Sequence, residues 1–283
     1  MRKISEPTAK SLLLTMLWKR PDGAFKKLAT GTGFTVLRNG KRFLITNLHN
    51  LRGKDVEGNF LGEHAVEPTH ISIAAENHLF PNQGRVKTLQ PLFSADGKAL
   101  WLQHRKGTMY DVAALEITAH EGRGRMHSPI TQRLERAEHV AAAFRDWQVF
   151  DAEIDSAPMP YLRPADTVSI VGFPFGFHSR DDFPIWITGT IASEPDFDYD
   201  ERPVFLVDAR TREGQSGSPV ILHITPNTSP LLFTDDTVRS FRKETSFFLG
   251  IYSGRLNERS DVGVVWKGIV IKQILDEVEP VLS

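Results

Sequence analysis

The chain has 283 residues, of which 40% are apolar, and its 34 basic residues almost balance its 35 acidic ones. This length suffices for one large domain or two small ones with a sizeable core. The charge balance excludes a strongly basic nucleic-acid-binding surface and a highly charged disordered tail. There is no cysteine, which excludes disulfides and thiolate metal sites and favours a reducing compartment.

An apolar run near the N-terminus, residues 12–18, superficially resembles a signal peptide. The run is short, basic residues flank it on both sides, and no small-residue cleavage site follows. We therefore interpret it as a first strand, turned by Pro21-Asp22-Gly23. No other segment approaches membrane-spanning length, so we expect a cytoplasmic protein that has no membrane partner.

Short β-rich runs dominate residues 1–120, which we assign to an N-terminal β-barrel. Asn39-Gly40 is a strong hairpin signal between two of these runs. The runs number roughly six, as in a small closed barrel. They cover residues 33–37, 41–46, 70–75, 85–89, 100–104 and 112–117.

The pattern changes over residues 121–165, which we assign to a connector. Apolar residues recur at helical spacing over residues 130–147, so we predict a helix there. A second β-rich set and an amphipathic terminal helix follow, and we assign residues 166–283 to a C-terminal barrel plus that helix. The predicted strands are 167–171, 185–192, 204–209, 219–224, 247–252 and 263–266, and the helix is 269–281. The sequence thus predicts an all-β fold of two six-stranded antiparallel barrels with a helical connector and a C-terminal helix.

The most informative motif is the run from Gly214 to Pro219, Gly-Gln-Ser-Gly-Ser-Pro, directly before an apolar strand. Its Ser216, on a tight turn of small residues, can be held exposed with backbone amides beside it. Acyl transfer needs such a nucleophile together with donors aimed at the developing oxyanion. A serine in a glycine turn is usually only a turn, so the interpretation depends on a base and a carboxylate upstream.

Two upstream residues suit those roles. Of the ten histidines, nine fit surface or strand positions, whereas His49 lies in Asn47-Leu48-His49-Asn50, where a strand has ended and its rigid end would hold a base at a cleft. Asp111 opens the apolar run Val112-Ala113-Ala114-Leu115. A partly buried carboxylate needs a partner, and a histidine ring whose tautomer the carboxylate fixes would be one.

These residues carry a resemblance to the chymotrypsin/trypsin-like serine proteases, whose chain order of histidine, aspartate and serine they share. The resemblance covers nearly the whole chain except the connector and the loop 225–245. Residues 171–176 and 187–191 are similar to bacterial HtrA-type proteases, and Gly217-Ser218-Pro219 to glutamyl endopeptidases. Further similar segments are 31–34, the motifs around His49 and Asp111, and the strand 249–254.

The resemblance implies a serine endopeptidase that works through an acyl-enzyme intermediate, in a cleft between two barrels. His49 would be the general base, Asp111 its orienting carboxylate and Ser216 the nucleophile. The amides of Gly214 and Ser216 would form the oxyanion hole. The expected partners are a protein or peptide substrate and a regulatory protein, with no nucleic acid, no cofactor and no metal.

The resemblance also implies substrate contacts. Ser253 would lie beside the aspartate and, with Gly254, lead a strand that pairs with the substrate backbone. Arg210 falls at the expected pocket base and Arg255 near its mouth, and together they would favour an acidic substrate side chain. The alternative is that both arginines form surface salt bridges.

The chain departs from the family at Gln215, where members activated by N-terminal cleavage carry aspartate. We therefore expect no such activation, and the chain leaves no room for an appended PDZ domain. A second hypothesis is a non-catalytic or latent module with a protease fold, which binds peptides or a partner through the Ser253 strand.

Overall fold

The computed structural model describes residues 4–62, 64–78, 84–127, 134–149, 158–179, 182–226, 228–257 and 259–276. Within these residues, three short α-helices accompany the strands: α1 (Glu6–Lys10), α2 (Leu48–Arg52) and α3 (Ile269–Asp276). The first half contains β1 (Leu12–Lys19), β2 (Phe25–Arg38), β3 (Lys41–Thr46), β4 (His70–Asn77), β5 (Arg85–Pro91), β6 (Trp101–Gln103), β7 (Ala113–Glu116), β8 (Glu121–His127), β9 (Leu134–Ala143) and β10 (Asp146–Trp147). The second half contains β11 (Thr167–Gly172), β12 (Ile185–Ile191), β13 (Val204–Asp208), β14 (Pro219–Ile224), β15 (Leu231–Leu232), β16 (Val238–Arg239), β17 (Thr245–Arg255) and β18 (Val262–Lys267).

The strands of the first half form one ten-stranded sheet, in the order β5-β8-β9-β4-β1-β2-β3-β7-β6, with β10 beside β2. The sheet is therefore larger than the predicted six-stranded barrel. The predicted hairpin joins β2 to β3, because Arg38 pairs with Lys41 across a two-residue loop. Asn39 and Gly40 both have positive φ angles, 51° and 75°, as a type I′ turn requires.

The second half forms the predicted closed barrel of six strands, in the order β11-β12-β13-β18-β17-β14. Its interior is packed with apolar side chains that include Val168, Phe205 and Val220. All six strands predicted in this half are present. The terminal helix is confirmed over Ile269–Asp276, whereas residues 277–281 of that prediction lie outside the described residues.

Another apolar cluster joins the two halves. Phe34 and Ile45 of the first sheet belong to the same cluster as Val171 and Ile251 of the barrel. Helix α3 adds four buried side chains to it: Val270, Ile271, Ile274 and Leu275. The halves are therefore held face to face by a continuous core, and the C-terminal helix seals it.

The helix predicted over residues 130–147 is wrong. Residues 134–143 are β9, which pairs with β8 and with the end of β4, where Glu76 lies opposite Ala143. His139 has a φ angle of 56°, a left-handed conformation that an α-helix excludes. Residues 130–133 lie outside the described residues. The predicted connector thus contributes strands to the first sheet.

Helices in the described part of the chain are all too short or too polar to cross a membrane.

Candidate active site

Strand register brings His49 and Asp111 to the same edge of the first sheet. Strand β3 runs antiparallel to β7, and Thr46 at the end of β3 lies opposite Ala113 at the start of β7. Residues just after β3 therefore meet residues just before β7. Helix α2, which begins at Leu48, carries His49 at this edge, and the Asn47 side-chain amide donates to the Asp111 backbone carbonyl at 2.6 Å.

The carboxylate of Asp111 holds His49 through two hydrogen bonds. The His49 ring contacts it through Nδ1, 2.7 Å from Oδ2, and the His49 backbone N–H donates to Oδ1 at 2.9 Å. The Ser253 hydroxyl donates to Oδ2 at 2.6 Å. Because all three contacts involve the two carboxylate oxygens, the orientation of the imidazole is fixed, with Nε2 left for other partners.

The pKa of His49 is raised by this arrangement. Burial by itself lowers it, because desolvation disfavours the charged imidazolium, but the negative charge of Asp111 and the hydrogen bond to its carboxylate outweigh burial. The ring therefore accepts a proton more readily than a free imidazole, as a general base must.

The loop between β13 and β14 carries Ser216, and polar groups of the first half hold its backbone. The Ser216 carbonyl accepts from the Thr32 backbone N–H at 3.0 Å and from the Asn50 side-chain amide at 3.1 Å. Asn50 also donates to the Thr46 hydroxyl at 2.9 Å. Since Asn50 directly follows His49, the histidine and the serine are connected through one short network.

The Ser216 hydroxyl donates to the Ser253 backbone carbonyl at 2.8 Å. A hydroxyl has a single proton, so in this arrangement the proton is not given to His49. The Ser253 carbonyl can accept from Ser216, and the Ser253 hydroxyl can donate to Asp111, because the register of β17 against β18 shifts between Tyr252 and Gly254. A bulge of this kind redirects a side chain away from the ladder.

Gly214 has a φ angle of 88°, and only glycine fits there. A Cβ at this position would lie 2.4 Å from the Phe173 carbonyl oxygen. The Gly214 carbonyl accepts from the Thr32 hydroxyl at 2.8 Å. Within the described residues, neither the Gly214 nor the Ser216 backbone N–H has a hydrogen-bond acceptor.

A cleft of about 660 Å³ contains His49, Gly214 and Ser216. Residues 27–30 of β2 and the exposed Phe175 form part of its wall. A smaller cavity of about 220 Å³ lies on the other side of His49, next to Asp111. His49, Gly214 and Ser216 thus line one cleft, and Asp111 lines the adjacent cavity, which shares His49 with the cleft.

The other predicted substrate-binding residues are more dispersed. Ser253 lies beside Asp111, as the resemblance implies, and Gly254 is half-buried on β17. Arg210 and Arg255 are both exposed, and neither lines the two cavities described above. Their role in specificity stays a prediction.

Several residues of this site were missed by sequence reasoning. Thr32 and Asn50 hold the nucleophile loop, and the motif Gly-Thr-Gly around Thr32 was the available signal. Behind Ser253, the buried Tyr252 hydroxyl is hydrogen-bonded to the Thr211 hydroxyl. Gln215, which the sequence did single out, is completely buried, and its side-chain oxygen accepts from the Arg212 backbone N–H at 3.0 Å, which shapes the turn before Ser216.

In the described parts of the chain, no group of three or more His, Asp or Glu side chains could hold a metal ion.

No protein-family model matches the chain, and no curated protein sequence does either. Among solved structures, the active form of the Rv3671c protease from M. tuberculosis is 15% identical, with a TM-score of 0.46 over 97% of this chain and 84% of that chain. An inactive mutant form of Rv3671c is also 15% identical, with a TM-score of 0.43 over 98% of this chain and 90% of that one. These similarities are too low to assign an activity.

Proposed function

We propose that this chain is a serine endopeptidase. The observation that carries the proposal is the contact of His49 Nδ1 with Asp111 Oδ2 at 2.7 Å, beside a cleft that His49 shares with Ser216. On the Ser216 loop, the Gly214 and Ser216 N–H groups have no acceptor within the described residues. A half-buried pair of this kind gives a base with a raised pKa and one fixed tautomer. Both properties serve proton transfer from a hydroxyl and have no evident use in a passive binding surface.

In the proposed reaction, His49 Nε2 takes the Ser216 proton while the serine oxygen attacks the substrate carbonyl. The negative charge moves to the carbonyl oxygen, where the amides of Gly214 and Ser216 donate hydrogen bonds. The imidazolium then gives its proton to the leaving amine, and an acyl-enzyme remains on Ser216. Water, deprotonated by His49, hydrolyses the ester and restores the serine.

One observation favours the second candidate function, a latent or non-catalytic module. The Ser216 hydroxyl donates to the Ser253 carbonyl at 2.8 Å, so it must turn toward His49 before it can react. A protein that rests in this form and is switched by a substrate or a regulatory partner would show little activity alone. The two functions differ in whether the serine of the isolated protein is reactive.

The test is covalent labelling of the purified chain with a fluorophosphonate probe. We expect labelling of the wild-type protein and of Ser218→Ala, and no labelling of Ser216→Ala. Ser218 is the matched control because it is a buried serine on the same loop whose hydroxyl has no part in the proposed chemistry. A folded wild type that is not labelled at any pH would contradict the endopeptidase and favour the latent module.

We base a proposal for the substrate preference on the charged side chains near Ser253. Arg255 and Arg212 act electrostatically on the Tyr252 hydroxyl behind the Ser253 strand, and Asp261 opposes them. Because Asp261 is paired with Arg212, the charge of Arg255 is what supports a preference for an acidic residue on the acyl side of the cleaved bond. A peptide library that shows a preference for large apolar residues there would overturn it.

A further inference from the structure

The turn between β11 and β12 contains a strained aromatic residue. Phe175 has φ 53° and ψ 20°, in the left-handed region that residues other than glycine, asparagine and aspartate rarely adopt. The residue is 52% exposed, and its ring contacts that of the similarly exposed Phe177, with the ring centroids 5.8 Å apart. Burial of this side chain therefore does not account for the strain.

The backbone of this turn packs against the proposed oxyanion hole. The Phe175 N–H donates to the Glu213 carbonyl at 2.5 Å. A Cβ on Gly214 would lie 3.1 Å from the Phe175 nitrogen and 3.0 Å from the Gly176 nitrogen. The turn itself is closed by the bond from the Gly176 N–H to the Phe173 carbonyl at 2.9 Å.

The peptide between Glu213 and Gly214 links this turn to catalysis. In a trans peptide the C=O and the N–H point in opposite directions. With the Glu213 carbonyl fixed on Phe175, the Gly214 N–H points away from the turn, and it has no acceptor within the described residues. If this peptide rotated by half a turn, a carbonyl would stand where the substrate oxyanion needs a donor.

We propose that Phe175 is a positioning residue, whose left-handed backbone holds the Glu213–Gly214 peptide with its N–H available to the oxyanion. The inference rests on the proposed endopeptidase function and adds the element that keeps its oxyanion hole open. What matters at position 175 is the φ angle and the N–H, and the aromatic ring is dispensable.

A series of substitutions at position 175 separates this role from packing. Phe175→Asn and Phe175→Gly keep the N–H and tolerate a positive φ angle. Phe175→Val is β-branched and disfavours it, and Phe175→Pro fixes φ near −65° and has no N–H. A packing role for the side chain would instead make Val the mildest of the four changes and Gly the most severe.

Kinetics with a peptide found by cleavage profiling measure the effect. We expect kcat of Phe175→Val and Phe175→Pro to fall by about 10²–10³-fold, the loss that accompanies one missing oxyanion donor. KM should stay nearly unchanged, because the donor acts only in the transition state. Phe175→Asn and Phe175→Gly should keep kcat close to that of the wild type.

Ala165→Val is the matched control. Ala165 is exposed, has a φ angle of 73°, and donates its N–H to the Ile191 carbonyl at 2.8 Å, outside the cleft. This substitution should lower the melting temperature as Phe175→Val does, yet leave kcat per folded molecule unchanged. The inference is overturned if Phe175→Gly loses as much kcat as Phe175→Val, or if Phe175→Val keeps the wild-type value.

A second readout does not depend on activity. Phe175→Asn and Phe175→Val both lose the ring current of Phe175, so they are compared with each other, and the Gly214 amide resonance of ¹⁵N-glycine-labelled protein should move further in Phe175→Val. If the wild type is unreactive but this difference appears, the endopeptidase function fails and the control of the peptide by Phe175 stands. If the Gly214 resonance is the same in the two variants, the inference fails whatever the activity.

Discussion

Replacement of Asp111 by asparagine changes one atom and tests the proposed mechanism most directly. In the wild type, Oδ1 accepts the His49 backbone N–H and Oδ2 faces the His49 ring nitrogen Nδ1. If the asparagine oxygen keeps the backbone bond, its NH₂ group faces Nδ1, which must then be unprotonated. The neutral ring therefore carries its proton on Nε2 and has no lone pair there for the Ser216 proton.

The expected loss is large because the tautomer is wrong while the geometry is kept. A change of this kind costs about 10⁴-fold in kcat, which corresponds to about 5.5 kcal/mol of transition-state stabilisation. The pH dependence should move as well. The charge of Asp111 raises the pKa of His49 and burial lowers it, so removing the charge lowers that pKa, and the loss of activity on acidification should occur at a lower pH.

The assay is the second-order rate of fluorophosphonate labelling measured against pH, because it needs no knowledge of the natural substrate. Ser253→Ala is the control, since it removes one hydrogen bond to the Asp111 carboxylate but leaves its charge. A loss of less than tenfold in Asp111→Asn, or an acid limb that stays in place, would refute the assigned role. A parallel loss in Ser253→Ala would show that the carboxylate acts only through its hydrogen-bond network.

Further predictions concern stability and specificity. Because the folded-state pKa of His49 lies above its ordinary value of 6.5, the protonated ring stabilises the fold below that pH. The unfolding free energy of the wild type relative to His49→Gln should therefore decrease as pH rises through the folded pKa, and urea titrations that show an increase would contradict this. Asp146→Ala removes two hydrogen bonds with Arg42, both 2.8 Å long, and should lower the unfolding free energy measured in urea by about 2 kcal/mol. A change near zero would count against a structural role for this pair. Gly40→Ala, at φ 75°, should cost about 1 kcal/mol, and an unchanged melting temperature would show that the hairpin turn relaxes. Arg255→Gln should reduce any preference for acidic residues in a peptide library, whereas an unchanged profile would exclude this arginine from the pocket.

Local sequence patterns were sufficient for most strands, and they placed His49 and Asp111 at strand ends that the structure brings into contact. The turn Asn39-Gly40 is an example, because its conformation is set by two adjacent residues. The segment 134–143 shows the limit. Its apolar spacing suits a helix, but its backbone pairs with β8 and with Asn77 of β4, and such distant pairing leaves no local signature.

Local sequence patterns also could not predict the hydrogen bonds and backbone conformations of the site. Nothing near Ser216 in the sequence indicates that its hydroxyl donates to the Ser253 carbonyl, because that contact depends on a bulge in β17. The strained backbone of Phe175 could not be read from the motif Phe-Pro-Phe-Gly either, since this turn contacts Glu213 and Gly214, which lie far along the chain.

The division of the site between the two halves has a consequence for synthesis of the chain. His49 and Asp111 emerge from the ribosome well before Ser216, which lies 105 residues after Asp111 in the chain. The carbonyls of Gly214 and Ser216 are then fixed by Thr32 and Asn50 of the half made first. Under the proposed function, a nascent chain would become active toward its neighbours only once its last barrel has docked on the half made first.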